Sequence, residues 1–247
     1  MKHILSPKNV DALAQFAWSR VLIALDFDGT LAPIVSNRDE AQMRPKTHAL
    51  LEKVCQLYPC ALISGRSLED ISLRLGGVPA KYLVGNHGLE PGESIELFEQ
   101  QMQKIRPELE RLLGTIPGLD IEDKRYSLAL HFRRVRRRKE ARQAIHDAVA
   151  NLSLPMRLVA GKLVVNLVPE RAPHKGDALL ALRSKEGADT ALYVGDDITD
   201  EDVFELDQPG RLLSIRVGQS RRSAASYFLR NQREMDVFLS QLLKFRS

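Results

Sequence analysis

Two carboxylates, Asp26 and Asp28, directly follow an apolar run in the segment 21–31, VLIALDFDGTL. Unbroken runs of β-branched and aliphatic residues are typical of a parallel strand covered on both faces, and such sheets carry their chemistry beyond the carboxyl ends of the strands. Two carboxylates this close repel each other unless a cation lies between them or one stays protonated. The segment therefore predicts a metal site or an acid/base pair; a solvated acidic turn is the alternative without chemistry.

A second group of acidic residues follows another apolar run, TALYVG. Asp196 and Asp197 leave this predicted strand directly, and Thr199 is expected to cap a helix that Asp200 begins. A solvated helix start accounts for the acidic residues further along the chain, but it does not account for carboxylates at the end of a buried strand. We therefore expect Asp196 to lie near Asp26.

A third apolar run, CALIS, ends in a hydroxyl group and a glycine. Ser64, Gly65 and Arg66 are followed at once by a helical pattern, in which Ser67 and Asp70 have the spacing of a capping box. A helix start presents free amide groups to an anion. This stretch is a candidate phosphate site, although a plain turn is the alternative for the serine alone.

These groups fit one reaction if the ends of neighbouring parallel strands bring them together. Asp26 and Asp196 can supply the carboxylate oxygens that Mg²⁺ prefers, with substrate phosphate completing the shell. Lys175, at the start of another helical pattern, and Ser64 would hold phosphate oxygens. Asp26 is the candidate nucleophile, and Asp28 is the candidate acid and base for the leaving oxygen and the attacking water.

The strands that would position these residues alternate with helical patterns, which predicts an α/β class with a doubly wound, Rossmann-like parallel sheet. We expect this core to comprise residues 1–93 and 169–247, and we expect residues 94–168 to form an inserted α+β cap domain. Within the cap, YSLALHFR alternates and predicts a half-exposed sheet. Its apolar face would carry Tyr126, Leu128, Leu130 and Phe132, and its polar face Ser127, Ala129, His131 and Arg133.

Composition limits the class of protein. The chain has 247 residues, a formal net charge of +4 and two cysteines, Cys55 and Cys60, which are too few for a disulfide framework. Its apolar runs are too short to span a membrane, and its start lacks the apolar region of a signal peptide. We expect a cytoplasmic monomer that binds a small molecule and neither a membrane nor nucleic acid.

A basic cluster, HFRRVRRRKEAR, supports the alternative of a nucleic-acid-binding module. Basic clusters neutralise nucleic-acid phosphates, but neither interleaved aromatic residues nor a nucleic-acid motif accompanies this one. Acidic residues also lie in the same predicted helix. We interpret the cluster as a solvated helix of the cap, with attraction of anions as a secondary possibility.

The motifs DFDGT, SGR, the helix-starting lysine and GDDITDED occur in the order of the four signature motifs of the haloacid dehalogenase superfamily, which they resemble. GNHGLE, EDKRYSLALHFR, GKLVVN and GDDITDEDVF are similar to trehalose-6-phosphate phosphatases. The resemblance implies an inserted C2-type cap, a phosphorylated Asp26, Asp28 as acid/base, and Ser64, Gly65 and Lys175 on the phosphate. It also implies Mg²⁺ held by Asp26, Asp28 and Asp196, with Thr30, Asp197 and Asp200 in support.

The same resemblance implies a set of sugar-binding residues. In the core these are Arg66, Asn86, His87 and Gly88, and in the cap they are Glu122, Lys124, His131, Arg133, Lys162 and Asn166.

The expected function is Mg²⁺-dependent hydrolysis of trehalose 6-phosphate to trehalose and phosphate, in trehalose biosynthesis. Asn166 stands where the family commonly places Glu, and it donates as well as accepts hydrogen bonds. VPERAPHKG also departs from the family's shorter run before the lysine. Sucrose phosphate and glycosylglycerate phosphates are therefore alternative substrates, and a sugar phosphomutase is the alternative reaction. An inactive sensor is disfavoured because every reacting residue type is present.

Overall fold

The computed structural model describes residues 1–35, 37–92, 95–161, 163–206 and 208–246. The chain divides into two units. The larger comprises Met1–Gly88 and Pro173–Ser247, and the smaller comprises Leu89–Ala172.

The described strands belong to two sheets. In chain order they are β1 (Lys2–His3), β2 (Val21–Leu25), β3 (Cys60–Ile63), β4 (Tyr82–Val84), β5 (Asp120–Asp123), β6 (Leu128–His131), β7 (Met156–Gly161), β8 (Val164–Pro169), β9 (Thr190–Gly195), β10 (Leu212–Val217) and β11 (Tyr227–Leu229). Within the described residues, seven strands form a parallel sheet in the order β1-β11-β10-β9-β2-β3-β4, and four form a sheet in the order β5-β6-β8-β7.

The helices lie between these strands. They are α1 (Val10–Trp18), α2 (Pro45–Leu57), α3 (Leu68–Leu75), α4 (Ile95–Leu113), α5 (Arg138–Ala150), α6 (Lys175–Glu186), α7 (Glu201–Phe204) and α8 (Glu234–Arg246). None of the helices in the described part of the chain is long and apolar enough to span a bilayer.

Strand β2 lies inside the parallel sheet, between β9 and β3, and is buried throughout, as its unbroken apolar sequence predicts. Successive side chains of a strand point to opposite faces. Accordingly, Leu22 and Ala24 pack with residues of α6 and α7, whereas Ile23 and Leu25 pack with residues of α1, α2, α3 and α8. Helices therefore cover both faces, and the predicted doubly wound α/β class is confirmed.

The strand register brings the site together. Leu25, the last residue of β2, pairs with Val194 of β9 on one side and Leu62 of β3 on the other. Because the three strands are parallel, Asp26, Ser64 and Asp196 emerge at the same edge.

Of two expected helix starts, the one at Ser67 is confirmed in part, because Ser67 is the N-cap of α3, and the one at Thr199 is wrong. Ser67 accepts from the Asp70 N–H at 3.2 Å, but the Asp70 carboxylate binds arginines rather than completing a capping box. Thr199 does not cap a helix, because Ile198–Asp200 forms a 3₁₀ turn, in which Thr199 and Asp200 are buried, and Asp200 itself is the N-cap of α7. Both helix starts are therefore shaped by charged contacts that spacing alone does not reveal.

In the smaller unit, the apolar face of the antiparallel sheet packs on α4 and α5. The expectation of an open polar face is wrong for Ser127 and Ala129, which are buried. Ala129 has a short side chain and pairs directly with Glu122 on one side and Asn166 on the other, so longer neighbours cover it. The predicted start of the cap, Ser94, lies outside the described residues.

Candidate active site

Lys175 is the most constrained charged group at the sheet edge. It is the first residue of α6 and only 1% exposed. Its Nζ donates to Asp26 Oδ1 at 2.9 Å and to Asp200 Oδ1 at 2.7 Å. Burial opposes the charge on Lys175, but the Asp200 and Asp26 carboxylates outweigh burial and raise the lysine pKa above its ordinary value. Lys175 is therefore a fixed cation.

Asp200 is fully buried and satisfied by protein donors. Besides Lys175, it accepts from the Tyr193 hydroxyl at Oδ1, at 2.7 Å, and from the Asp197 N–H at Oδ2, at 2.8 Å. Burial and the Asp200 charge raise the pKa of Tyr193 well above its usual value, so its hydroxyl stays protonated and donates. Asp200 thus holds Lys175 in place, and Asp197 contributes its backbone.

Asp196, in contrast to Asp200, has a carboxylate oxygen without a protein donor in the described part of the chain. Its Oδ1 is buried, and no described residue provides a hydrogen-bond partner. Gly29, with φ +84°, packs against this carboxylate so closely that an added Cβ would lie 2.1 Å from Oδ2. A buried carboxylate oxygen that lacks a protein donor is the natural position for a ligand or a cation.

A divalent cation fits this cluster. Carboxylate oxygens of Asp26, Asp196 and Asp200 lie within 4.8 Å of one another, and Lys175 is the cation among them. Burial first, and then neighbouring carboxylates, raise the pKa of Asp26 to about 7 and that of Asp196 to about 8. Because Asp200 is occupied by protein donors, Asp26 and Asp196 are the residues that could hold the ion. Mg²⁺ takes one or two carboxylates in this way.

Asp28, the third predicted metal ligand, is not part of that cluster. The Arg66 guanidinium binds it with a two-point fork, from Nε to Oδ2 at 2.6 Å and from Nη2 to Oδ1 at 2.7 Å. Arg66 also donates to Asp70 at 2.6 Å and lies over the Phe27 ring. The Arg66 side chain, which the family resemblance predicts to bind sugar, is 1% exposed and contacts Asp28 through this fork.

The predicted phosphate residues lie at the end of β3. Ser64 is buried, and its Oγ accepts from the Arg66 N–H at 3.2 Å. An added Cβ on Gly65 would lie 2.3 Å from His87 Cε1, so this close approach requires glycine. The structure thus brings Ser64 and Gly65 together with His87.

The segment after β4 is strained. Asn86 and His87 both have positive φ, 47° and 59°, and Gly88 has φ +120° and packs against the His174 carbonyl. The side-chain amide of Asn86 is buried, and no described residue hydrogen-bonds to its nitrogen or oxygen. The buried Thr30 hydroxyl likewise lacks a partner among the described residues. Strain and unmet polar groups together are typical of binding sites.

Two residues that hold the lysine were not predicted from sequence. One is Tyr193. The other is His174, the N-cap of α6, whose Nδ1 accepts from the N–H groups of Gly176 at 3.1 Å and Asp177 at 3.2 Å. The Asp177 carboxylate accepts from the His174 N–H in return. The three-residue spacing of a capping box was the available signal, but His is not an expected capping residue.

In the smaller unit, two polar pairs lie on the sheet. His131 Nε2 and Glu122 Oε2 are 2.7 Å apart, and Lys124 Nζ donates to Asn166 Oδ1 at 3.3 Å. Glu122 and Asn166 flank Ala129 on adjacent strands, so the pairs share one face. Arg133 is exposed beyond the end of β6. The predicted sugar ligand Lys162 lies outside the described residues.

The family model described as trehalose-phosphatase matches residues 24–233, which include the whole cluster around Lys175. The chain belongs to the trehalose-phosphatase family.

Curated relatives in this family include the trehalose-phosphate phosphatases of Mycobacterium avium strain 104 and Mycobacterium ulcerans strain Agy99. The first is 32% identical over 213 residues, covering 79% of this chain and 53% of the relative. The second is 31% identical over 244 residues, covering 90% of this chain and 61% of the relative. The chain therefore spans about half to three-fifths of the length of these trehalose-phosphatase relatives.

Solved structures share the fold. The C-terminal domain of the Candida albicans trehalose-6-phosphate phosphatase has a TM-score of 0.79 and 23% identity, covering 96% of this chain and 97% of that one. The sucrose-phosphatase of Synechocystis sp. PCC6803, solved with sucrose and phosphate, has a TM-score of 0.62 and 16% identity, covering 92% and 98%. At these identities the likeness establishes the haloacid dehalogenase fold of this trehalose-phosphatase family member.

Proposed function

We propose that this protein is a Mg²⁺-dependent phosphatase that hydrolyses trehalose 6-phosphate to trehalose and phosphate. The observation that carries the proposal is the buried cluster in which Lys175 bridges Asp26 and Asp200 beside the unpartnered oxygen of Asp196. The family supplies the substrate class, and trehalose biosynthesis is the corresponding pathway.

In the proposed reaction, Asp26 attacks the phosphorus atom. The Asp26–phosphorus bond forms as the bond to the sugar oxygen breaks, which gives an aspartyl-phosphate that water then hydrolyses. Lys175 orients Asp26 through Oδ1 and, with Ser64, faces the charge that develops on the phosphoryl oxygens. Asp26 and Asp196 would hold the magnesium ion, which offsets the negative charge of the carboxylates and the phosphate when it is bound.

Asp28 is the proposed proton carrier. It would give a proton to the departing sugar oxygen and take one from the attacking water. The fork from Arg66 fixes both Asp28 oxygens, while the carboxylate itself remains 42% exposed and accessible. This combination of fixed orientation and access supports the role.

The proposed specificity cap comprises residues 94–168, which lie within the smaller unit, Leu89–Ala172. Its Glu122–His131 and Lys124–Asn166 pairs offer donors and acceptors suited to sugar hydroxyls. His87 and Gly88 of the larger unit, Arg133 and Lys162 are proposed to complete the sugar contacts. The thiols of both cysteines are unbridged, which supports the proposal of a reducing, cytoplasmic compartment. The proposed enzyme is a monomer.

A substrate panel tests the function. We expect Mg²⁺-dependent release of inorganic phosphate from trehalose 6-phosphate, without an acceptor sugar, at a higher kcat/KM than from sucrose phosphate, a glucosylglycerate phosphate or glucose 6-phosphate. Preference for another sugar would contradict the assignment of trehalose. Dependence of turnover on an acceptor would indicate a phosphomutase.

The nucleophile is tested by Asp26→Asn. This change should abolish phosphate release while the protein remains folded, because an amide cannot form the acyl phosphate. Asp189→Asn, which removes an exposed carboxylate paired with Arg20, is the matched control and should retain activity. Turnover by Asp26→Asn at the wild-type rate would refute the mechanism.

A further inference from the structure

Tyr193 is a fully buried residue on β9. Its hydroxyl contacts Asp200, which in turn contacts Lys175. The strand register places Tyr193 directly beside Ala24 of β2, two residues before Asp26. Its ring meets Phe204 edge-on, with centroids 5.9 Å apart. Phenylalanine would provide the same packing, so packing alone does not require the hydroxyl.

The hydroxyl makes a specific contact. It donates to Asp200 Oδ1 at 2.7 Å, and Lys175 Nζ donates to the same oxygen at 2.7 Å. Lys175 in turn reaches Asp26 Oδ1 at 2.9 Å. Tyr193, Asp200, Lys175 and Asp26 thus form a continuous buried chain of hydrogen bonds, in which each contact influences the next.

Because Tyr193 and Lys175 share Asp200 Oδ1, the tyrosine hydroxyl influences the position of Lys175. Asp200 is completely buried, so solvent cannot replace a lost donor. Without the Tyr193 hydroxyl, Lys175 would be the only side-chain donor to Asp200 Oδ1 among the contacts described above. The negative charge on that oxygen would then draw Lys175 toward Asp200 and away from Asp26. The hydroxyl therefore balances Lys175 between the two carboxylates.

We propose that Tyr193 is a positioning residue for the phosphatase reaction, which acts through Asp200 to keep Lys175 within reach of Asp26 and of the phosphate. This inference rests on the proposed function of Lys175. It assigns to a core tyrosine a role in the rate and in the binding of phosphate, with no contact to the substrate.

The test is Tyr193→Phe with Tyr82→Phe as the matched control. Tyr82 also donates to a carboxylate, Glu186, at 2.6 Å, but that pair lies among the surface charges of Lys81. Both changes remove one hydroxyl that hydrogen-bonds a carboxylate. We expect Tyr193→Phe to lower kcat about tenfold and to weaken the binding of inorganic phosphate several-fold, as loss of a hydrogen bond to a charged group implies. Tyr82→Phe should leave both unchanged.

Two substrates and one binding assay keep the outcomes separate. Turnover is measured with trehalose 6-phosphate and with p-nitrophenyl phosphate, and phosphate binding is measured by calorimetry in the presence of Mg²⁺. If wild-type protein hydrolyses only p-nitrophenyl phosphate, the proposed sugar substrate fails while the effect of Tyr193→Phe is still measured. If wild-type protein hydrolyses neither substrate, the phosphate affinities of wild type and Tyr193→Phe are compared, and equal affinities would overturn the inference.

A structural role alone would lower thermal stability without a selective loss of kcat and phosphate affinity. Wild-type kcat and wild-type phosphate affinity in Tyr193→Phe would overturn the inference. So would equal losses of both in Tyr193→Phe and Tyr82→Phe. If Tyr193→Phe does not fold, Tyr193→Met, which also removes the hydroxyl and fills the site with a flexible apolar side chain, serves as the second variant. Wild-type kcat and wild-type phosphate affinity in Tyr193→Met would then overturn the inference.

Discussion

The carboxylates of Asp26 and Asp196 predict that Mg²⁺ stabilises this protein more at pH 8 than at pH 6. Their pKa values in the folded, metal-free state, about 7 and about 8, lie above the unfolded value near 3.8. The folded state therefore binds more protons than the unfolded state between pH 4 and pH 8. Stability from these groups is present at low pH and is lost as the pH rises through the folded pKa values.

The size of the effect follows from the protons involved. One extra proton bound by the folded state costs at most about 1.4 kcal/mol of unfolding free energy per pH unit. The two carboxylates share the charge of Lys175, so we count about one proton over the two pH units between pH 6 and pH 8, or roughly 3 kcal/mol. For a chain of this size, that lowers the Tm by about 6–12 °C.

Calorimetric melting at pH 6, 7 and 8, with and without Mg²⁺, measures this effect. Mg²⁺ binds the ionised carboxylates, so the gap in Tm between the two series should be small at pH 6 and should reach several degrees at pH 8. Asp196→Asn removes one ionisable ligand and should flatten the gap, whereas Asp189→Asn on the surface should preserve it. A gap that is equal at all three pH values, or that persists in Asp196→Asn, would refute the reasoning.

Two further predictions concern the backbone around the site. Gly29→Ala should abolish the Mg²⁺-dependent gain in Tm because its Cβ would displace Asp196, whereas Gly77→Ala, with a similar φ of +88° and no atom within 4 Å, should cost only about 1–2 kcal/mol and retain the gain. A retained Mg²⁺ effect in Gly29→Ala would contradict the close contact. His174→Ala should remove the cap next to Lys175 and lower the Tm by about 2–4 °C, as expected for about 1 kcal/mol. His174→Asn keeps an acceptor and should melt near wild type; equal losses in both variants would argue against capping.

The core of the larger sheet could be predicted because its strands are recognisable from their local sequences. VLIAL, CALI and TALYVG are short apolar runs that end in polar residues, and the rule that parallel strands share a carboxyl edge brings Asp26, Ser64 and Asp196 together. Strand β1, at one edge of the sheet, and its neighbour β11 were not predicted. They are two and three residues long, too short for a local periodicity to mark them, and they pair with each other from opposite ends of the chain.

The supporting contacts could not be predicted for a different reason. Tyr193 occupies a core position in an apolar run, and only its distance to Asp200 reveals a polar role. Arg66 is at the predicted place, but its direction is set by Asp28 and Asp70, which bind different nitrogens of its guanidinium at the same time. Sequence pattern fixes which residues reach an edge, whereas the partners of long side chains depend on the three-dimensional arrangement.

The central position of β2 also has a consequence for biosynthesis. Its hydrogen-bonding partner on one side, β3, is made soon after it, but its partner on the other side, β9, begins only at Thr190. A nascent chain therefore presents one edge of this apolar strand with unpaired N–H and C=O groups while the whole smaller unit is being translated. Such edges recruit other strands and promote aggregation. The strand that leads into Asp26, the proposed nucleophile, is thus also a segment that needs protection on the ribosome.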